Sequence, residues 1–387
     1  MSEEQRAYCN RFFPKIWSRF VTAVTESSHA RGAWCGDEKG GFGCDGSPIP
    51  RPPTRLGKVD KIVAIGDVHG DVHKAKRAFK LAGLIDDKGS WVGGKTVAVQ
   101  VGDVLDRGNN EVELYYWFER LQKQASRSGG ALYVLNGNHE TMNVDHQFRY
   151  ATPGGMADFS RWARAHALGV ALKSKCAPCS NRSIEMARMY MNTSTHEVVS
   201  ASRRAALEPG GEFSKRFIAP NPVILAIGST VFVHGGLLPH HAKYGIEKIN
   251  HETQDWVLKR EPVEGKPAFL SGRRAVVWAR DYSHENEEYC DCDALKDALS
   301  KIPGAERMVV GHTIQGKGIN SACEDTVYRV DVGLSKGCGD GIPEVLVIYN
   351  DSKVVKLKEQ ERVDETDAEK RFHELETKSG KMLHDDV

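Results

Sequence analysis

Five short segments of the sequence place metal-binding side chains directly after apolar runs. They are VAIGDVHG, VQVGDVLDRG, VLNGNHE, VFVHGG and VVGHT, which carry Asp67 and His69, Asp103, Asp106 and Arg107, Asn138 and His139, His234, and His312. Carboxylate, amide and imidazole ligands without cysteine favour manganese, iron or zinc over a structural thiolate site. A carboxylate shared by two such ions holds them roughly 3.5–4 Å apart, and such pairs hydrolyse phosphate esters. The segments therefore predict a two-metal hydrolytic site.

Each segment taken alone has an ordinary explanation. An aspartate after a strand commonly forms a turn or caps a helix, and a single histidine is more often a core or surface residue. The five segments share one arrangement, however, because each joins an apolar run, a glycine and a possible ligand. Their recurrence in one chain favours a shared site over five unrelated turns.

The elements that must position these residues alternate along the chain. Apolar runs in KIVAIGDVHG, TVAVQVGD and ALYVLNGNHE predict strands, and DVHKAKRAFKLAGL and EVELYYWFERLQKQA between them predict helices. Such alternation predicts an α/β fold with a largely parallel first sheet. Ligands of open α/β sheets bind at the carboxyl ends of the strands, so side chains just beyond those ends converge on one crevice.

Later segments predict a second sheet and an inserted helical subdomain. The runs NPVILAIG, TVFVHGGL, ERMVVGHT, TVYRVDVG and PEVLVIYN are expected to form strands of a sheet packed on the first. Residues 141–220 are helical in pattern and rich in arginine, Arg203 included. We expect this insert either to overhang the crevice and shape substrate choice or to form a solvated cap.

The chain divides into three regions. Residues 1–56 are expected to form an amphipathic helix at 4–28 and a Gly/Pro linker, and residues 57–358 the catalytic domain with its helical insert. Residues 359–387 form a charged tail, predicted to be a solvated helix or disordered.

Composition excludes several classes of function. Of the 387 residues, 27% are charged but the net charge is +1, which gives no basis for binding nucleic acid or a membrane surface. No run of 18 apolar residues is present, and the first residues do not form a secretory signal. These features predict a cytoplasmic protein.

The motifs GDxHG, GDxxDRG and GNHE, followed by HGG and GH, resemble those of the phosphoprotein phosphatase family of metallophosphoesterases. The resemblance spans about residues 62–348. The segment YRVDVGLSKGCGDGIPEVLVI is similar to the Shewanella-like protein phosphatase branch. The resemblance implies a calcineurin-like β-sandwich flanked by helices, and a preference for phosphotyrosine.

The resemblance also implies a ligand set for two divalent ions, with manganese expected and iron or zinc as alternatives. The first metal would take Asp67, His69 and the bridging Asp103. The second would take Asp103 together with Asn138, His234 and His312. A water or hydroxide between the metals would attack phosphorus in line with the leaving oxygen.

Further roles follow from the same resemblance. His139 would protonate the leaving oxygen as general acid, with Asp106 orienting its ring, and Arg107 would bind the phosphate. Arg280, in AVVWARDY, is expected as a second phosphate ligand, with Arg273 and Arg274 as alternatives. One departure is Asn136, which stands where the family often has an arginine before GNHE.

Nine cysteines include two close pairs, CAPC with Cys176 and Cys179, and CDC with Cys290 and Cys292. Free thiols, a disulfide and half of a zinc site are open alternatives for CAPC. A redox role would imply a thiol–disulfide oxidoreductase as partner and would make the mitochondrial intermembrane space the alternative location.

These features predict a two-metal protein phosphatase acting on phosphoprotein substrates. A nucleotide or dinucleoside polyphosphate hydrolase on the same scaffold is the alternative enzyme. A redox-regulated scaffold protein without activity is the alternative outside enzymes, although every predicted metal position carries a competent ligand.

Overall fold

A computed structural model describes residues 49–173, 195–260 and 265–360. The predicted helix at 4–28, the linker cysteines Cys35 and Cys44, the CAPC motif and the tail from residue 361 lie outside the described residues. Within the described part, two sheets share one continuous core of buried apolar side chains, as the sandwich prediction requires.

The first sheet has the strand order β11-β10-β2-β3-β4. Its three parallel strands are the apolar runs that precede the first candidate ligands, and β10 pairs antiparallel with β2. The strands are β2 (Lys61–Ile65), β3 (Val97–Gln100), β4 (Ala131–Val134), β10 (Glu344–Tyr349) and β11 (Lys353–Lys358). Two crossover helices connect the parallel strands, α1 (Val72–Leu81) and α2 (Glu111–Arg127), as parallel pairing demands.

The second sheet has the order β1-β5-β6-β7-β9-β8. Its central strands β6, β7 and β9 are parallel, so their carboxyl ends also lie at one edge. The strands are β1 (Arg55–Leu56), β5 (Ile224–Ile227), β6 (Thr230–Val233), β7 (Arg307–Val310), β8 (Asn320–Ala322) and β9 (Val327–Arg329).

Three segments differ from the sequence prediction. PEVLVIYN forms β10 of the first sheet and not a strand of the second. The sequence could not decide between the sheets, because an all-apolar run fits between two neighbouring strands in either one. The predicted strand ALYVLNGNHE ends at Val134, and a short helix, α3 (Asn138–Val144), follows it. Strand β1 falls inside the segment predicted as linker, where it pairs with β5.

The predicted insert contains two helices that pack on each other, α4 (Pro153–Lys173) and α5 (Thr195–Leu207), and a π-helical turn at Ser214–Ile218. Three further helices are α6 (Pro239–Tyr244), α7 (Ile246–Leu258) and α8 (Cys292–Ser300), with 3-10 turns at Ala268–Leu270, Glu287–Tyr289 and Lys336–Cys338. No helix in the described ranges is both long and apolar enough to cross a bilayer.

Candidate active site

The carboxyl ends of strands from both sheets surround one small cavity. The predicted ligands, the predicted phosphate-binding arginines and several further side chains line it: Asp67, His69, Asp103, Arg107, Asn138, His139, Tyr150, Trp278, Arg280, His312, Ile314, Asp331 and Cys338. His234, which is fully buried, lies beneath this lining, with its Nε2 3.2 Å from Oδ2 of Asp103. The fold therefore brings together all ten residues that the sequence singled out, because Asp106 contacts His139 from behind.

The backbone at the strand ends is left-handed at five of these positions. His69, Asp103, Asp106, Arg107 and His312 have φ values of 41°, 57°, 69°, 61° and 65°. Non-glycine residues in this region cost on the order of 1–3 kcal/mol each and persist where the surroundings enforce them. Sharp left-handed turns thus direct the functional side chains into the cavity.

Two glycines beside these turns, Gly137 and Gly311, are required because a side chain would not fit, and not because the turn needs a glycine. A Cβ on Gly137 would overlap the Asp103 carboxylate, and a Cβ on Gly311 would lie 2.5 Å from Oδ1 of Asp67. The chain must therefore pass directly against the two carboxylates that are the candidate ligands.

The buried carboxylate of Glu140 holds the turn after β3 in place. Its Oε1 accepts the backbone N–H groups of Val104 and Leu105 at 2.9 and 3.0 Å, and its Oε2 accepts those of Asp103 and Gly137 at 2.9 and 2.7 Å. The bond to Gly137 also caps the start of α3. One side chain thereby fixes the turns that carry Asp103 and Asn138.

Two overlapping groups of side chains could each hold a metal ion. They are His69, Asp103 and His139, and Asp103, His234 and His312, with the candidate atoms of each group within 4.8 Å of one another. Asp103 belongs to both groups, which is the arrangement that a carboxylate bridging two ions requires. His139 stands in the first group where Asp67 was predicted, although Asp67 lines the same cavity.

The histidine rings are oriented for binding a cation. Nδ1 of His69 lies 2.9 Å from the carbonyl oxygen of Leu105, and Nδ1 of His234 lies 2.9 Å from that of Val101. Because a carbonyl only accepts, each Nδ1 carries a proton, and Nε2 of each ring is left to face the cavity. Burial and the facing His139 lower the pKa of His69 to about 3, so its ring stays neutral.

The contacts and burial of the candidate ligands fit divalent cations. Nε2 of His234 lies 2.8 Å from Oδ1 of Asn138 and 3.2 Å from Oδ2 of Asp103, so three atoms that can bind a metal ion face one another. Nε2 of His312 is buried and has no hydrogen-bond partner among the described residues. Burial, with Asp331 and Asp103 nearby, raises the pKa of Asp67 well above its usual value. Cations in the cavity would bind the facing ligand atoms, give Nε2 of His312 a partner and stabilise the buried Asp67 carboxylate.

His139 is held by a carboxylate on the side away from the cavity. Its Nδ1 lies 2.6 Å from Oδ2 of Asp106, and Nδ2 of Asn143 donates to the same oxygen at 3.0 Å. Burial disfavours an imidazolium here, but the carboxylates of Asp103 and Asp106 raise the pKa of His139 above its usual value. The ring therefore can carry a proton at Nε2 toward the cavity.

Two arginines line the cavity, Arg107 and Arg280. Arg107 lies with its guanidinium carbon 5.3 Å from the ring centre of Tyr150, and its Nε is buried without a partner in the described part of the chain. Arg280 donates from Nη1 to Oγ1 of Thr313 at 2.7 Å and to the carbonyl of His312. Of the two alternatives, Arg274 pairs with Asp281 and lines a separate surface pocket, and Arg273 is exposed.

Asn136, which replaces the expected arginine, does not line the cavity. Its Nδ2 donates to the carbonyls of Ile218 and Asn221, both at 2.9 Å, and its backbone N–H bonds the carbonyl of Pro222. The side chain thus ties the end of β4 to the segment that leads into β5.

Several lining residues were not identified from the sequence. Asp331 follows β9 in YRVDVG, so the strand-end pattern used for the other ligands would have found it. Glu140 could have been recognised from its place three residues after Gly137 as a capping residue. Tyr150, Trp278 and Ile314 lie on loops that carry no such signal.

One cysteine of the CDC motif forms a disulfide with a distant residue. Cys292 is bonded to Cys323, whereas Cys290 is a buried free thiol. Cys338 is also free and lines the cavity, and burial raises its pKa to about 12, so the thiol stays protonated.

Replacing Glu140 with glutamine should weaken metal binding. The amide nitrogen would face at least two of the backbone N–H groups that the carboxylate now accepts, so the Asp103 turn would shift. We expect a loss of about 10- to 100-fold in affinity for Mn²⁺ used as the probe, the range for groups that support metal ligands. Calorimetric titration of the chelated protein measures it, with Glu113→Gln as control, because Glu113 is a half-buried glutamate of α2 that does not line the cavity. Equal affinities for the two variants would contradict this role.

Comparisons with known proteins identify the family of the chain. The family model described as calcineurin-like phosphoesterase matches residues 60–316. Shewanella-like protein phosphatase 2 of Arabidopsis thaliana is 47% identical over 366 residues, which cover 91% of this chain and 90% of that protein. Shewanella-like protein phosphatase 1 of Plasmodium berghei is 29% identical, over 73% of this chain and 69% of that protein.

A solved structure shares the fold. The cold-active protein-tyrosine phosphatase of a psychrophilic Shewanella species has a TM-score of 0.58 at 21% identity, covering 80% of this chain and 84% of its own. With the family match and the 47% identity, the conclusion is direct. The chain belongs to the calcineurin-like phosphoesterases and, within them, to the Shewanella-like protein phosphatases, and it is a metal-dependent phosphoprotein phosphatase.

Proposed function

We propose that this phosphatase hydrolyses phosphoprotein monoesters with a preference for phosphotyrosine, using two divalent ions and His139 as general acid. The observation that carries the proposal is the position of His139. Its ring lies beside Asp103, which both metal-binding groups share, and its far nitrogen is fixed by Asp106 at 2.6 Å.

The ligand assignment rests on chemistry and placement. Asp67, His69 and Asp103 would hold the first ion, and Asp103 with Asn138, His234 and His312 the second. When bound, the two ions would supply an activated water and stabilise charge on the phosphoryl oxygens. The mixture of carboxylate, amide and imidazole suits manganese, with iron or zinc as alternatives.

The chain's own groups complete the reaction. His139 would donate the proton at Nε2 to the leaving oxygen, while Asp106 keeps the ring oriented through Nδ1. Arg107 and Arg280 would bind the non-bridging phosphate oxygens, because a guanidinium offers two parallel donors to them. The unpartnered Nε of Arg107 supports this assignment.

The size of the cavity favours a protein substrate over a nucleotide. It measures about 80 Å³, far below the about 300–1,000 Å³ typical of sites that enclose small molecules. A phosphoryl group fits such a space, whereas a base and ribose would remain outside without a built pocket. This supports the phosphatase assignment over the dinucleoside polyphosphate alternative.

The rim of the cavity suits an aromatic leaving group. Tyr150 and Ile314 are 39% and 42% exposed, and Trp278, also in the lining, packs edge-on against the His312 ring with the ring centres 5.4 Å apart. A phosphotyrosine ring leaving the cavity would contact these apolar surfaces, whereas the short stem of phosphoserine would not reach them in the same way. The rim therefore supports the phosphotyrosine preference.

The Cys292–Cys323 disulfide bears on location and partners. Disulfides persist in oxidising compartments and are rare in the cytosol. The bond supports the mitochondrial intermembrane space, with a thiol–disulfide oxidoreductase as partner, over the cytoplasm.

Removing the general acid should abolish turnover of peptides. We expect His139→Ala to lower hydrolysis of phosphotyrosine and phosphoserine peptides by about 100- to 10,000-fold, the range for a lost general acid. Chelation should stop the wild-type reaction and added Mn²⁺ restore it. His146→Ala, an exposed histidine nearby, is the matched control. Wild-type protein that binds metal but cleaves neither peptide would refute the proposal.

Trimming the rim should change the choice of substrate. Tyr150→Leu removes the aromatic ring and leaves its backbone bond to Arg107 intact. Both substrates lose the packing of the ring on Arg107, so we expect kcat/KM to fall about 2- to 10-fold more for a phosphotyrosine peptide than for a phosphoserine peptide, as the loss of one aromatic contact implies. Tyr289→Leu, at a 68% exposed tyrosine away from the cavity, is the control. A parallel loss on both peptides would speak against ring recognition.

The disulfide can be examined directly. Protein isolated from its native cells with thiols trapped at lysis should yield a peptide joining Cys292 to Cys323 when mapped by mass spectrometry without reductant. Finding both cysteines alkylated would place the protein in a reducing compartment and refute the proposed location.

A further inference from the structure

Arg203 is a fully buried arginine on helix α5 of the insert. The sequence suggested that basic residues of the insert overhang the crevice or form a solvated cap. Arg203 does neither, because its side chain points into the protein and packs on the ring of Phe159, with a guanidinium-to-centroid distance of 4.7 Å. A buried guanidinium needs several partners to offset its lost hydration.

The partners of Arg203 are two carboxylates behind the active site. Its Nη1 donates to Oε2 of Glu111 at 2.6 Å, and its Nη2 donates to Oε1 of Glu111 and to Oδ1 of Asp106, both at 2.8 Å. Glu111 in turn accepts the backbone N–H of Asp106. The guanidinium therefore fixes both the side chain of Asp106 and the turn that carries it.

A third contact extends this network to the general acid. Nε of Arg203 donates to Oδ1 of Asn143 at 2.8 Å. Asn143 uses its Nδ2 to donate to Oδ2 of Asp106 at 3.0 Å and to the carbonyl of His139 at 2.9 Å. Oδ2 of Asp106 is the oxygen that holds Nδ1 of His139. Each Asp106 oxygen thus has an assigned donor, which leaves one direction for the bond to His139.

We propose that Arg203 is a positioning residue through which the helical insert orients the general acid, by holding Asp106 in the rotamer that fixes the His139 ring. The inference rests on the proposed role of His139 and extends it to a residue about 100 positions away from Asp106 in sequence. The helical insert therefore belongs to the structure that orients the general acid, His139.

The planar fork of arginine is what this position demands. Three different acceptor groups surround it, belonging to Asp106, Glu111 and Asn143, and they are bonded by three different nitrogens. Lysine would keep the positive charge but has a single nitrogen at the end of a flexible stem. Arg203→Lys should therefore preserve the neutralisation of the two carboxylates while losing the orientation of Asp106.

The test uses the dependence of an acid on its leaving group. A 4-nitrophenolate ion departs without a proton, whereas the oxygen of a phosphoserine peptide needs one. We expect Arg203→Lys to lower kcat/KM on the phosphoserine peptide by about 10- to 100-fold, the range for residues that orient functional side chains. On 4-nitrophenyl phosphate, the same variant should lower kcat/KM by less than about 3-fold. A purely structural defect would lower both rates equally.

Two further variants control for misfolding and for effects of any substitution on helix α5. Arg203→Met combined with Glu111→Gln removes both members of the Arg203–Glu111 pair, so Glu111 is not left as an unpaired buried charge, while Asp106 keeps its bonds to His139 and Asn143. This double variant should show the same selective loss. Arg204→Met, at the exposed neighbour on α5, is the matched control and should retain wild-type rates on both substrates.

A cycle with the acid itself decides the mechanism. In a His139→Ala background, Arg203→Lys should cause no further loss on the peptide, because it acts through the ring already removed. The far-downfield NMR signal of the Nδ1 proton of His139, expected from its 2.6 Å bond, should broaden or shift in Arg203→Lys and stay in Arg204→Met.

Suppose that wild type turns over and His139→Ala abolishes this turnover, so that the proposed function stands. Unchanged leaving-group dependence and an unchanged proton signal in Arg203→Lys would then overturn this inference alone. Equal losses on both substrates would also overturn it. No turnover by wild type would overturn the proposed function and this inference with it.

Discussion

The structure of the active site depends on burying the Asp103 carboxylate among groups that can share it. Burial disfavours that charge, but His234 and His139 hold the pKa of Asp103 well below its usual range. The backbone at Asp103 is left-handed and bonded to Glu140, so the carboxylate cannot relax away from its neighbours. A rigid shared carboxylate is what lets one cavity hold two ions at a fixed spacing.

Around this point, the protein places histidine rings on one side and fixed positive charge on the other. The carbonyls of Leu105 and Val101 bond Nδ1 of His69 and of His234, which leaves Nε2 of each ring toward the cavity. Arg203 pairs with Asp106 and Glu111 on the far side of the His139 ring. The same buried sheet edge therefore orients two histidines for cation binding through backbone carbonyls and a third, His139, through a carboxylate.

The sequence predicted the residues that lie at strand ends, because an apolar run, a glycine and a polar side chain are local signals. Nine of the ten predicted site residues follow strands and meet at one cavity for that reason, whereas Arg280 lies on a loop and was predicted from the resemblance of its segment. The sequence could not predict that PEVLVIYN joins the first sheet, since all-apolar strands satisfy either one. Nor could it pair Cys292 with Cys323 or Arg203 with Asp106, because those contacts arise from packing between segments that share no local pattern.

The contact of Arg203 changes how the insert should be regarded. Helices added beside a catalytic crevice are usually considered for what they offer the substrate. Arg203 instead faces inward and completes the bonds of the residue that holds the acid, whereas Arg204, its neighbour on α5, is exposed. Since neighbouring residues on a helix point in different directions, α5 can present one face to solvent and support the site with another. A displacement of this helix would then misalign the general acid, while the metal ligands that directly follow strands of the two sheets would keep their places.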